Sequence, residues 1–246
     1  MPYIEEMCTA GEVIEVEKYY SCRWNRSGGK RAEKREESSE TQKKRNQKRA
    51  EKNLRRLMNA NFKDGDFLVR LDFVNAPGGS EDMQPLIQKA VRDLRRYMKK
   101  EDQELKYIYV KEVGPRGGRH IHMIMSKCDT GLILKAWPHG GVHVDPLRSG
   151  GQYRRIASYF IKYAARTEET EGELVGKRWY ASRNLIRPAV RKKVVSAFKF
   201  KRNIKNIKGY ILDKETEVYG INECGFEYFA YQLIHVTDER DIKCSG

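Results

Sequence analysis

A chain of 246 residues has room for one domain with a sizeable core, together with extensions on it. Its formal charge of +15 makes an acidic polymer the first partner to consider. Five cysteines without a C-x-x-C spacing argue against a disulfide framework or a zinc ribbon. They fit reduced thiols in a cytoplasm. No apolar run approaches the roughly 20 residues of a membrane span, and the opening MPYIEEMCTAGE has neither the basic nor the apolar region of a secretory signal.

The charge is concentrated. Arg23 to Arg56 holds 14 basic and 5 acidic residues, and Arg187 to Lys208 holds 9 basic residues and no acidic one. The remainder of the chain is slightly acidic, so two basic blocks sit on a near-neutral body. They read either as clamps on a phosphate backbone or as solvated, mobile arms.

In chain order, Tyr3 to Cys8 and Val13 to Tyr20 alternate apolar and polar residues around Ala10 and Gly11, which predicts a β-hairpin. Arg23 to Glu37 reads as a mobile basic loop. Ser39 and Gln42 resemble a capping box opening a long charged helix to about Asn61, with Leu54, Leu57 and Met58 as its docking stripe. Asp66 to Phe73 alternates Phe67, Val69, Leu71 and Phe73 against polar neighbours, a half-buried strand. Pro77 to Gly79 reads as a loop. Ser80 is placed to cap a helix from about Asp82 to Lys100, with Leu86, Ala90, Leu94 and Met98 on one stripe. Leu105 to Val113 and Arg119 to Met125 predict two strands joined by the basic glycine-rich tip Gly114 to Gly118. A short helix (Thr130 to Trp137), a short strand (Gly141 to Pro146) and an amphipathic helix (Gln152 to Arg166) follow. Beyond Arg178, a basic helix is expected from about Pro188 to Lys201, then strands at Lys208 to Tyr219 and Phe226 to Val236.

The order from Asp66 is β-α-β-β-α-β-α. It predicts an α+β fold: a central antiparallel sheet of the ferredoxin-like or RRM-like type, with helices on one face. Three segments are expected: 1–62, an N-terminal hairpin and basic helical arm; 63–182, the catalytic domain; and 183–246, a basic helix and C-terminal strands that no pattern places against the central sheet.

His120, Ile121 and His122 carry the sharpest chemical signal. Side chains alternate across a strand, so the two imidazoles share one face while Ile121 points to the other. Two imidazoles on one face make a metal clip; two structural histidines would look the same in sequence. Glu112 lies near the end of the preceding strand, where a hairpin can bring its carboxylate beside them. Two histidines and a carboxylate suit Mn²⁺ or Mg²⁺. On the helix after Gln152, a step of about 100° per residue sets Arg155, Tyr159, Lys162 and Arg166 within about 60° of one another. Ile156, Ala157, Phe160, Ile161 and Ala164 cover the opposite side. A tyrosine centred on a cationic face suits nucleophilic attack on a phosphodiester. Tyr163, one turn on, is either a second nucleophile or an edge-packing aromatic.

At these residues the chain resembles the HUH endonucleases, the rolling-circle replication initiators of small phages, plasmids and single-stranded DNA viruses. Phe67 to Phe73 resembles their first, hydrophobic-strand motif; Arg119 to Met123 resembles the metal-binding motif; Tyr159 to Lys162 resembles the Y-x-x-K motif. The string from Tyr159 to Arg166 is also similar to the two-tyrosine form of small-phage initiators, with Arg166 where lysine is frequent. The resemblance covers about Asp66 to Arg166. It implies an HUH endonuclease fold in which Glu112, His120 and His122 hold Mn²⁺ or Mg²⁺. It also implies that Tyr159 attacks single-stranded origin DNA, helped by Lys162, leaving a 5′-phosphotyrosine and a free 3′-hydroxyl, with either Tyr163 or that 3′-hydroxyl attacking at the end of a round.

Arg116, Arg119, Arg155, Arg166, Arg178, Arg183 and the two basic blocks are the expected DNA contacts, with Trp179 and Tyr180 either stacking on bases or packed. Absence of a G-x-x-x-x-G-K-[ST] loop implies recruitment of a host helicase alongside a host polymerase. No membrane partner is expected. The alternatives are a transposase-type strand-transfer enzyme with the same chemistry, a non-catalytic nucleic-acid-binding protein, and a zinc site built on His120, His122, His139 and His143.

Overall fold

The computed structural model describes residues 2–21, 24, 39–75, 78, 80–113, 118–148, 150, 152–171, 177–196, 200, 202–222 and 225–236, with only the backbone at 80, 81, 166 and 168–171. The basic loop at 25–37 and most of the hairpin tip at 114–118 lie outside the described residues. Along the chain run β1 (Tyr3–Ala10), β2 (Val13–Tyr20), α1 (Glu40–Asn59), β3 (Phe67–Asp72), α2 (Ser80–Lys100), β4 (Tyr107–Val113) and β5 (Arg119–Met125). They are followed by α3 (Thr130–Ala136), β6 (Val142–Pro146), α4 (Arg154–Glu171), β7 (Tyr180–Ala181), β8 (Val190–Val195), β9 (Tyr210–Ile221) and β10 (Glu227–His235). The α+β expectation is met, with two antiparallel five-stranded sheets and four helices among the described residues. Among the described residues no helix is long and apolar enough to cross a membrane.

The chain divides into two compact units, Met1–Lys43 with Arg187–Gly246, and Lys44–Ile186. In the first, strands from both ends of the chain share one sheet of order β8-β1-β2-β10-β9. The hairpin of β1 and β2 turns at Gly11, whose φ of 56° lies in the left-handed region that a side chain disfavours. Residues 190–195 form a strand, where a basic helix was expected from about Pro188 to Lys201. Val190, Val194 and Val195 are β-branched, and the register puts Lys192 opposite Glu6 and Lys193 opposite Glu5 of β1. Both lysines close ion pairs on those glutamates, at 3.1 and 3.2 Å. Ile14, Val16, Phe229, Tyr231 and Leu233 make the core, with Phe200, Ile204 and Ile207 packed on it.

The second unit is built on a sheet of order β6-β3-β5-β4-β7. The strand β5 sits between β3 and β4, which α2 connects, and β6 returns to the far side of β3. That is the split βαβ order of a ferredoxin-like sheet. Helices cover both faces, where one covered face was expected. The odd-numbered face (Phe67, Val69, Leu71, Tyr109, Ile121, Met123) packs on α2 and α3. The other face (Leu68, Ile108, Val110, Ile124) packs on Leu54 and Met58 of α1 and Ala157, Phe160 and Ile161 of α4. The reason is visible in β4, which is apolar on both faces and buried from Ile108 to Val113. On α2 the inward stripe begins at Met83 and Ile87, and Leu86 is only half-buried.

Local chemistry sets the helix starts. The Ser39 hydroxyl accepts from the Gln42 N–H at 3.3 Å, and the Asp129 carboxylate accepts from the Gly131 N–H at 2.7 Å. Buried Thr167 ties α4 to β4: its hydroxyl donates to the Lys111 carbonyl and accepts from the Val113 N–H, each at 3.0 Å.

Candidate active site

Register decides which side chains meet on the face under α4. In β5, His120 pairs with Glu112 of β4 on one side and Asp72 of β3 on the other. His122 pairs with Arg70, and Arg70 pairs with His143 of β6. Directly opposed residues share a face, so Glu112, His120, His122, Arg70, Asp72 and His143 all project from the α4 side. Glu112 therefore takes the face that its strand position alone left open.

The acids and imidazoles are engaged in pairs. His122 Nε2 lies 2.7 Å from Glu112 Oε2, and both side chains are nearly buried. His120 Nδ1 lies 2.7 Å from Asp72 Oδ1, and His143 Nε2 lies 3.1 Å from Asp72 Oδ2. Arg70 Nε adds an ion pair to Asp72 Oδ1 at 3.0 Å. Burial pushes the Asp72 carboxyl up, but hydrogen bonds from Arg70 and His120 outweigh it and hold the group below its ordinary value. The Asp72 backbone is fixed as well, since the Trp137 indole N–H donates to its carbonyl at 2.9 Å.

Asp72 is the site residue that sequence reasoning missed. It ends the strand already read as half-buried, and its alternation with Arg70 marked it as facing away from Val69 and Leu71. Nothing local announced that β3 pairs with β5, 48 residues on.

From above the face, α4 contributes a run of aromatic rings. Tyr163 lies flat on His122, with ring centroids 3.9 Å apart and planes 9° from parallel. Tyr159, one turn earlier, has its ring 6.4 Å from that of Tyr163 and is 54% exposed. Lys162 is exposed and carries its Nζ 5.8 Å from the Tyr159 ring centroid. The strands β4 and β5 thus supply the acid and imidazoles, and α4 sets an accessible phenol one turn from the ring that covers His122.

Two carboxylates and three imidazoles on one face fit a divalent cation in donor type. Among the described residues, however, no three His, Cys, Asp or Glu side chains are grouped to hold a metal as they stand. The acid–imidazole pairs would have to open toward a cation. The four-histidine alternative is not assembled. His139 packs edge-on against Trp137 at 5.0 Å and beside Phe73, while His143 turns to Asp72.

The expected DNA contacts are scattered. Arg155 is exposed on α4. Arg119 has odd parity, so it leaves the sheet on the face opposite the histidines, and it donates to the Gly78 carbonyl. Arg178 is half-buried, and Arg183 lines a separate cleft with Arg95 and Lys99. Arg116 and the Arg166 side chain lie outside the described residues. Trp179 and Tyr180 are packing residues: Tyr180 stacks on Tyr109 at 5.0 Å, and Trp179 packs at the margin of the α4 core.

No curated protein and no solved structure matches the chain. A family model does. The Replication-associated protein ORF2/G2P family matches residues 74–168, which span Glu112, His120, His122, Tyr159, Lys162 and Tyr163, and this likeness is consistent with a replication initiator.

Proposed function

We propose that the protein initiates rolling-circle DNA replication by nicking and rejoining single-stranded DNA at an origin, with Tyr159 as the nucleophile. One observation carries the reading: an exposed phenol on α4 stands one turn from Tyr163, which lies flat on His122 of an imidazole–carboxylate face.

In the nicking step the Tyr159 oxygen bonds to the scissile phosphorus, and the bond from phosphorus to the 3′-oxygen breaks. The phenolic proton is lost, and the departing 3′-oxygen takes one up from solvent. The products are a 5′-phosphotyrosine and a 3′-hydroxyl that a host polymerase can extend, with a host helicase supplying the unwinding. Rejoining reverses the same bonds. Lys162 offsets the negative charge that gathers beside the Tyr159 ring. Tyr163 holds the His122 ring in place by stacking, and it is the candidate second nucleophile at strand closure. Mn²⁺ or Mg²⁺ held by Glu112, His120 and His122 would supply positive charge at the scissile phosphate. Arg155 and the neighbouring cations steer the strand's phosphates to α4.

The test is incubation of the full chain with a single-stranded origin oligonucleotide and Mn²⁺, followed by a denaturing gel. Wild type is expected to give a covalent protein–DNA band that Tyr159→Phe abolishes. A Tyr159→Phe protein that forms the band as well as wild type overturns the assignment.

A further inference from the structure

The outward face of α2 carries Lys89, Arg92, Arg95, Arg96, Lys99 and Lys100, and all six are exposed. The helical step of about 100° places them within roughly 140° of arc, opposite the buried stripe of Met83, Ile87, Ala90, Leu94 and Met98. From Lys89 to Lys100 the rise is about 16 Å. Among the described residues only Arg96 of the six has an acidic partner, Asp93 at 3.2 Å.

A merely solvated helix face usually mixes signs, because like charges three or four residues apart destabilise a helix by about 0.2–0.5 kcal/mol per pair. Here Arg92 faces Arg95 and Arg96, Arg95 faces Lys99, and Arg96 faces Lys100. The helix dipole favours cations in the last turn, which accounts for Lys99 and Lys100 and leaves the three arginines unexplained. Outside the two basic blocks the chain is slightly acidic, so this cluster is not a sample of a generally basic surface. The cations also frame hollows. Arg92, Arg95, Arg96, Lys99 and Lys100 line one of about 500 Å³. Arg95 and Lys99 are shared with a cleft of about 740 Å³ that reaches Arg183 and also holds Asp102 and Glu104.

We propose that this face of α2 is a second nucleic-acid surface that holds the phosphate backbone of duplex DNA, on the side of the sheet opposite Tyr159. Duplex is favoured over single strand because single-strand sites pair cations with open aromatic platforms. The aromatic bordering this stripe, Tyr97, is packed against the core and already covered by Arg96 at 5.3 Å and by Lys135 at 4.8 Å. The surface is independent of the nicking reading.

The test uses the full chain and a mixed-sequence 24-base-pair duplex, with binding followed by fluorescence anisotropy from 50 to 200 mM salt. Each cation on a phosphate contributes about 0.9 to the slope of log K against log salt. The triple variant Arg92→Gln, Arg95→Gln, Lys99→Gln is expected to flatten the slope by about 2.7 and to weaken binding at least tenfold. Arg92→Lys with Arg95→Lys keeps the charges and is expected to stay within about threefold of wild type. An unchanged slope in the triple variant overturns the proposal, as does an equal loss on a single-stranded 24-mer. Adduct formation by wild type is read in parallel: its absence removes the proposed nicking and leaves the α2 surface standing or falling on the duplex data.

Discussion

Asp72→Asn isolates the carboxylate that joins three elements of the site. The substitution keeps shape and removes charge from a side chain that is 21% exposed and bonded to Arg70, His120 and His143. Hydrogen bonds to a charged group contribute about 1.5–3 kcal/mol against about 0.5–1.5 for neutral ones. With Arg70 and His143 largely solvated, the net loss is expected near 1–2 kcal/mol, or about 3–6 °C in melting temperature. The sign with pH follows from the lowered pKa of Asp72. A depressed carboxyl stabilises the fold above its unfolded value of about 3.9 and loses that contribution as pH falls through the lower folded value. The gap between wild type and Asp72→Asn should therefore be full at pH 6–7 and close toward pH 3, as read by thermal melts. A second readout separates site from scaffold. An imidazole whose far nitrogen is held by a carboxylate is a better-oriented ligand, and losing that support typically costs 10–100-fold in metal affinity. Calorimetric titration of Mn²⁺ should show at least a tenfold loss. Equal melting temperatures at pH 7 together with equal Mn²⁺ affinity would remove Asp72 from the site.

Two further substitutions probe the rings and the other unit. Tyr163→Phe keeps the stack on His122 and is expected to form the nicked adduct like wild type, with any defect confined to strand closure; Tyr163→Ala forfeits the stacking and a half-buried ring, costing about 2–3 kcal/mol in urea unfolding. Lys205→Met leaves the buried Glu5 carboxylate, which Lys205 contacts at 2.6 Å, with Lys193 alone, and should cost about 1–3 kcal/mol at pH 7. Burial raises the Glu5 pKa, and hydrogen bonds from Lys205 and Lys193 more than offset it. That penalty should accordingly fade as acid protonates Glu5, and urea midpoints at pH 7 and pH 3 check it.

What the sequence could show was whatever one element's own period encodes. The shared face of His120 and His122 follows from a period of two, and the apolar stripe of α4 from a period of 3.6. Pairing across distance was not legible. Val190 to Val195 carries too many lysines and arginines to look like a strand until Glu5 and Glu6 stand opposite them. The second covered face was written in the apolar run of β4, but which helices would cover it was not. Asp72 and Thr167 act through contacts 48 and 54–56 residues away, and no motif spacing reports such contacts.

The segment from His139 to His143 shows how a pattern that suggests metal ligation can answer to backbone packing. A Cβ built on Gly140 would lie 2.2 Å from the Asp72 carbonyl oxygen and 3.0 Å from the Phe73 Cα. Both are backbone atoms of the strand end, so neither can swing aside. The close approach is held by the Asp72 N–H donating to the Gly141 carbonyl at 2.8 Å and the Val74 N–H donating to the His139 carbonyl at 2.9 Å. Gly140→Ala must therefore push the end of β3 from this connection by about an ångström, breaking one or both of these bonds. The cost is expected at about 2–4 kcal/mol, from overpacking and a lost backbone hydrogen bond. Because Asp72 moves with the strand, Mn²⁺ affinity should fall along with stability even though Gly140 bears no ligand. The alanine variant is measured by urea unfolding and Mn²⁺ titration. If Gly140→Ala lost less than about 0.5 kcal/mol and kept wild-type affinity, the tight seating of this connection against Asp72 would be wrong.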